Sequence, residues 1–244
     1  MNRTRSMGFL ILLLLVSFVS LNSQTLNEIL KKNYEARGGY ERLKATKSAK
    51  TYARLVMGSM ELPMVITTKR PNTVRSEVIV QGQKIVSVFD GTSGWMINPM
   101  QGSTDPVDMP AEEMKNVKEQ ADMDGFLVDW KEKGSTLELV GKEDVEGADA
   151  YHIKVTTKDG DVRHVYVDAD SYLEIQQKGK YPAQGKELEI TTSLGSYKMV
   201  DSMMIPFSVE GKYEGKTVQQ MVIDSVFFNV PVPDSLLVRP KSTK

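Results

Sequence analysis

Apolar positions near the start of the chain recur at helical spacing. Leu26, Ile29, Leu30 and Tyr34 share one stripe, and Thr25-Leu26-Asn27-Glu28 opens it as a capping box. Gly38-Gly39 ends the helix, because glycine takes the left-handed conformation without a steric penalty, and a short helical turn over Tyr40 to Leu43 follows. From Ala49 the period becomes two. Ala49, Thr51, Ala53, Leu55 and Met57 share one face, with Lys50, Tyr52 and Arg54 on the other. After a turn at Gly58-Ser59, Met60, Leu62, Met64 and Ile66 alternate with Glu61, Pro63, Val65 and Thr67. Pro63 cannot donate to a strand ladder, so it predicts a local edge or a bulge. Val74 to Val80 and Ile85 to Phe89 read as a hairpin around Gln81-Gly82-Gln83, and Trp95 to Asn98 as a further strand.

The pattern then returns to helical spacing. Met114, Val117 and Ala121 follow Pro110 and the acidic pair Glu112-Glu113, and Met123, Phe126, Leu127 and Trp130 form a second stripe over residues 122–130. Two helices inside a β meander predict a plug or lid over one mouth of a curved sheet. Strands resume at Leu137 to Val140, Ala150 to Thr156, Val162 to Asp168, Tyr172 to Gln177, Leu188 to Leu194, Met204 to Val209 and Val218 to Phe227. Residues 179–186 read as a polar loop, and Pro231 to Pro240 as an extended surface tail. The class is mainly β with helices (α+β), and no 20–50-residue repeat or linker divides the chain.

Ahead of these elements, Arg3 and Arg5 precede the apolar run Phe9 to Val19 and a polar, small-residue stretch. That is the pattern of a cleavable secretory signal, expected to span residues 1–23, with one domain over 24–244. No later stretch approaches the ~18 apolar residues of a membrane helix. The chain has no cysteine, which excludes disulfides, thiol nucleophiles and cysteine-held metals. Without Arg3 and Arg5, 29 of the 31 basic side chains remain against 32 acidic ones, and such a balance speaks against nucleic-acid binding. Twelve of the 14 methionines follow Met7. Methionine suits irregular and promiscuous apolar surfaces, and Met57, Met60 and Met64 cluster.

Little in the chain suggests catalysis or a metal. His152 and His164 lie on predicted strands with basic neighbours and read as solvated. The acidic run Glu138, Glu143, Asp144, Glu146, Asp149 lacks the spacing of a calcium loop and reads as a solvated turn. No GxSxG, GxGxxG or P-loop string occurs. Arg70 and Arg75 sit beside apolar strands, either as solvated strand-end residues or as guanidinium groups bonding lid carbonyls or a lipid head. Trp95 suits either a core or a cavity wall.

The strings TKRPNTVRSE (Thr68–Glu77) and VFDGTSGWMINP (Val88–Pro99) resemble the LolA-like family of periplasmic carriers that sort lipoproteins to the outer membrane. The resemblance rests on Lys69-Arg70-Pro71-Asn72, on Asp90-Gly91 through Trp95 to Pro99, and on VYVDADSYLEIQ over Val165 to Gln176. Val74 and Gly94 stand where that family more often has large apolar residues. The resemblance implies an open, strongly curved antiparallel half-barrel, capped by an N-terminal helix and an inserted helical lid, with Arg70 holding the lid closed. The expected function is a periplasmic, non-enzymatic, cofactor-free monomer that sequesters acyl chains of lipoproteins or other lipids. It would contact membranes transiently, taking cargo from an inner-membrane donor protein and yielding it to an outer-membrane acceptor. A sensor or assembly module using the same cavity is the alternative. The expected lining is Leu55, Met57, Met60, Leu62, Met64, Ile66, Val78, Trp95, Met114, Phe126 and Trp130.

Overall fold

The computed structural model describes residues 24–102, 104–183 and 185–242, so the predicted export segment lies outside the described residues. The capping box forms as read: Thr25 Oγ1 accepts from the Glu28 amide, and Glu28 reaches back to the Thr25 amide, opening α1 (Leu26–Ala36). Gly38 follows at φ 114°, where an added Cβ would lie 2.4 Å from the Ser202 carbonyl oxygen. Glycine is therefore required both by conformation and by space. The chain turns there into α2 (Tyr40–Ala45).

Two blocks of strands flank the third helix. The first comprises β1 (Ser48–Met57), β2 (Met60–Lys69), β3 (Thr73–Val80), β4 (Gln83–Phe89), β5 (Gly94–Ile97) and β6 (Val107–Asp108), and α3 (Ala111–Ala121) follows it. The second comprises β7 (Thr136–Val145), β8 (Ala148–Thr156), β9 (Val162–Asp168), β10 (Glu174–Ala183), β11 (Lys186–Gly195), β12 (Lys198–Val200), β13 (Met203–Ile205), β14 (Ser208–Tyr213) and β15 (Lys216–Phe228). Thirteen of these strands form one antiparallel sheet in the order β6-β5-β4-β3-β2-β1-β15-β14-β11-β10-β9-β8-β7, and β12 and β13 pair apart from it. The terminal strands β6 and β7 do not pair with each other, so the sheet is open.

The position of α3 demonstrates the curvature. It packs on β3 and β4 and also reaches β10, six strand positions from β3. In a flat sheet β3 and β10 would stand about 29 Å apart at about 4.8 Å per strand, whereas a helix with its side chains is only about 10 Å across. The sheet must therefore curl around α3. Register shifts in the β1–β15, β14–β15, β9–β10 and β7–β8 pairs supply local bends of the kind that bulges produce.

The helices occupy the inner face. Ile29 and Leu30 of α1 join Leu127, Ile153, Val155, Val165 and Val167 in one core. Leu43 of α2 joins Val128 and Met203, and Ala121 of α3 joins Val74 and Phe89.

Four expectations change. Residues 122–130 form successive turns instead of a second helix, with Gly125 at φ 73° and Asp129 at φ 51°. Residues 179–183 and Lys186 are paired strand ends of β10 and β11 instead of a loop, with Ala183 opposite Lys186. The strand expected over Met204 to Val209 splits into β13 and β14 at Pro206, which has no amide to donate. The C-terminal tail is anchored: Leu237 is buried against Val86, Val88 and Trp95 on the outer face. Pro63 occupies the local edge it predicts, since β2 pairs with β3 only from Met64 onward.

Candidate functional site

Strand register gathers most of the expected lining. Ala53 stands opposite Met64, Met64 opposite Val78, and Val78 opposite Ile85. Paired residues point to the same side of a sheet and alternate ones share it. Leu55, Met57, Met60, Leu62, Met64, Ile66 and Val78 therefore share the face that carries Val74 and Phe89 beneath α3. On the other flank Leu55 pairs with Met221, Met221 with Val209, and Val209 with Leu194. The outcome is an apolar trough across β3, β2, β1, β15, β14 and β11. Leu55, Leu62, Met64, Val78, Val209 and Met221 are half-buried, and Met57 and Met60 are 40% and 54% exposed at its rim.

The other four expected residues lie elsewhere. Trp95 pairs with Val88, which puts it on the outer face, where its Nε1 donates to the Leu237 carbonyl at 3.1 Å. Met114 belongs to α3, packs with Val74 and Phe89, and fills the space a Cβ on Gly94 would need. Phe126 and Trp130 pack on the core built from α1, β8 and β9.

Arg70 lies at the end of β2 and is the hub of a polar latch. Its Nε donates to the Thr46 carbonyl at 2.7 Å and its Nη2 to the Leu43 carbonyl at 2.9 Å. The same guanidinium grips both carboxylate oxygens of Asp124, at 2.7 and 2.5 Å. Planar two-pronged pairing of this kind is strong and directional. Lys44 joins Asp124 at 3.0 Å and Asp129 at 2.5 Å, and the Tyr40 hydroxyl donates to Asp129 at 2.8 Å. Burial raises the Asp124 carboxyl, but hydrogen bonds from Arg70 and then Lys44 outweigh it and hold it at about 2. The segment after α3 is thereby fastened to α2 and β2 by charge. Asp124 and Lys44, which sequence reasoning missed, complete the latch.

Arg75 does different work on the outer face. It bonds Glu77 and the Leu236 carbonyl at 2.8 and 2.9 Å, fixing the tail.

The histidines are partnered. His152 is buried, with its Nδ1 2.5 Å from Glu143 and its Nε2 2.7 Å from His164 Nδ1, and Tyr166 stacks on its ring. The reading of His152 as solvated is thus corrected: hydrogen bonding within the outer face compensates its burial. Among the described residues no cluster of three or more His, Cys, Asp or Glu could hold a metal, and no helix is long and apolar enough to cross a membrane.

No sequence-family profile and no curated protein matches the chain. Solved structures match its fold. A LolA superfamily protein from Nitrosomonas europaea aligns over 88% of this chain and 98% of its own at 12% identity, with a TM-score of 0.60. A DUF1329 family protein from Desulfovibrio piger aligns over 86% and 97% at 13% identity and 0.59. An outer membrane lipoprotein-sorting protein domain from Vibrio parahaemolyticus aligns over 85% and 94% at 10% identity and 0.58. Resemblance in the strings around Arg70 and Trp95 and likeness over most of the fold converge: the chain has the fold of the LolA superfamily.

Proposed function

We propose that this chain is an exported, non-enzymatic lipid carrier of the periplasm that holds acyl chains in its inner trough. Lipoprotein chains bound for the outer membrane are its first candidate cargo, taken from an inner-membrane donor and passed to an outer-membrane acceptor. One observation carries the reading: a partly exposed apolar surface runs without a charged side chain from Val78 through Met64 and Leu55 to Met221 and Val209. A surface of that kind costs free energy in water and gains about 0.8 kcal/mol for each methylene it covers. About ten methylenes supply about 8 kcal/mol, the scale of a micromolar complex before ordering costs. The methionines at the rim adapt to chains of different shape.

Native mass spectrometry of protein isolated from its own cell envelope, with organic extraction of what accompanies it, tests the proposal. The expected result is one bound lipid or acylated peptide, lost in Leu62→Asp without loss of fold. A protein that stays free of lipid when offered acylated peptide and phospholipid would end the carrier reading.

A further inference from the structure

Beside the trough lies a charged group that neither the latch nor the apolar surface accounts for. Arg163 shares the inner face of β9 with Val165 and Val167, and it is 1% exposed. Its stem crosses Gly179 of the neighbouring strand, where an added Cβ would come within 2.6 Å of Arg163 Cδ. The next residue in that row is Ile190, at the trough's edge, two strands or about 10 Å from Arg163. The guanidinium lies 4.5 Å from the Tyr181 ring centroid. Its Nη1 donates to the Val162 carbonyl at 3.0 Å, while Nε and Nη2 both go to the carboxylate of Glu119.

Glu119 belongs to α3. That helix meets the β2–β4 arm through Met114, Val117 and Ala121. It meets the opposite arm through polar contacts alone among those described: Glu119 with Arg163, Lys115 with Asp161 at 2.6 Å, and Glu112 with the Gly185 amide at 3.0 Å. If α3 leaves the β8–β10 arm, Arg163 stays behind in an apolar wall with two donors unmet, a costly state for a buried charge. Burial pushes the nearby Tyr181 hydroxyl up to about 12, so it stays neutral at physiological pH and supplies no substitute anion.

We propose that Arg163 is an anion-recognition point for the trough: the phosphate or carboxylate head of a bound amphiphile replaces Glu119 on its guanidinium when α3 swings off the β8–β10 arm. This rests on the carrier reading and narrows its cargo to an anionic amphiphile. The site is preformed, because Gly179 and Tyr181 fix the guanidinium and only its partner changes.

Calorimetric titration with dodecyl phosphate and with dodecanol, below their aggregation thresholds, compares one chain with two heads. The wild type should bind dodecyl phosphate about tenfold more tightly, the effect of one charge-assisted contact. Arg163→Gln should bring the ratio to about one while dodecanol still binds. Glu119→Gln should tighten dodecyl phosphate and widen the ratio, since the rival carboxylate is gone and the arginine remains, and should leave dodecanol, whose head does not compete for the guanidinium, unchanged. Inorganic phosphate separates two sources of the anion. No competition at millimolar concentration assigns the site to an amphiphile head, and competition that disappears in Arg163→Gln assigns it to free phosphate as well. Equal affinity for both probes in the wild type, or a preference that survives Arg163→Gln, overturns the proposal. The wild-type ratio decides even if a variant fails to fold. Binding of neither probe would instead defeat the carrier reading itself.

Discussion

Two stretches of the same inner face are built from the same alternation and end up in opposite states. At the β8–β9 end, Ile153, Val155, Val165 and Val167 are fully buried because α1 and the segment around Leu127 lie on them. In the centre, Leu55, Leu62, Met64 and Val78 stay partly exposed. Neither composition nor period separates the two. The difference is cover, which depends on where the helices land. A strand pattern therefore identifies an apolar face, and the helices decide whether it becomes core or stays partly open to water.

The largest expected effect breaks the covered end. Ile153→Ala should cost about 2–5 kcal/mol in a denaturant titration, the range for a fully buried aliphatic truncation. An equal loss from Leu62→Ala would erase the distinction between the two stretches. Next comes the latch. Arg70→Leu removes one partner of a buried pair whose side chains are 17% and 4% exposed, and such removals cost about 3 kcal/mol or more. Hydrogen exchange should show the amides of residues 122–134 opening first, while those of β8 and β9 keep their protection.

Acid probes the same latch more gently. The Asp124 carboxyl titrates at about 2 in the folded protein, below its ordinary value near 3.8. Its contribution is complete above about pH 4 and fades as pH falls toward 2. Asp124→Asn should flatten that part of a stability-versus-pH curve, and an unchanged curve would mean that the pair adds no pH-dependent stability. The smallest effect belongs to the trough. Leu62→Ala should cost less than Ile153→Ala, because Leu62 keeps part of its surface in water and so leaves part of its transfer gain unrealised in the free protein. The same variant should weaken binding of a fluorescent fatty acid several-fold, and unchanged binding would place the lipid elsewhere.

Much of the succession of strands along the chain was legible because alternation and turn residues agree, as at Gln81-Gly82. The seven trough residues on β1 to β3 were legible for the same reason: parity within a strand fixes a shared face. Trp95 was not, since Trp95, Met96 and Ile97 are apolar in succession and only pairing with Val88 reveals the side. The stripe over residues 122–130 has helical spacing, yet Gly125 and Asp129 take left-handed conformations, and Asp124 and Asp129 turn to Arg70 and Lys44. Arg70 and Asp124 lie 54 positions apart, a separation that no local pattern spans. Arg163 did carry a signal, an arginine at the apolar parity of Val165 and Val167, which alternation alone could have exposed.

If the chain is the carrier proposed above, the unpaired ends of its sheet set how much the trough can hold. In a closed barrel, a wider occupant forces interstrand hydrogen bonds to break or slide. Here β6 and β7 are free of each other, so girth is limited by a clasp, the side chains of α3 reaching from Phe89 across to Arg163. Capacity can thus be retuned by substitutions on a single helix, with every ladder between strands left intact.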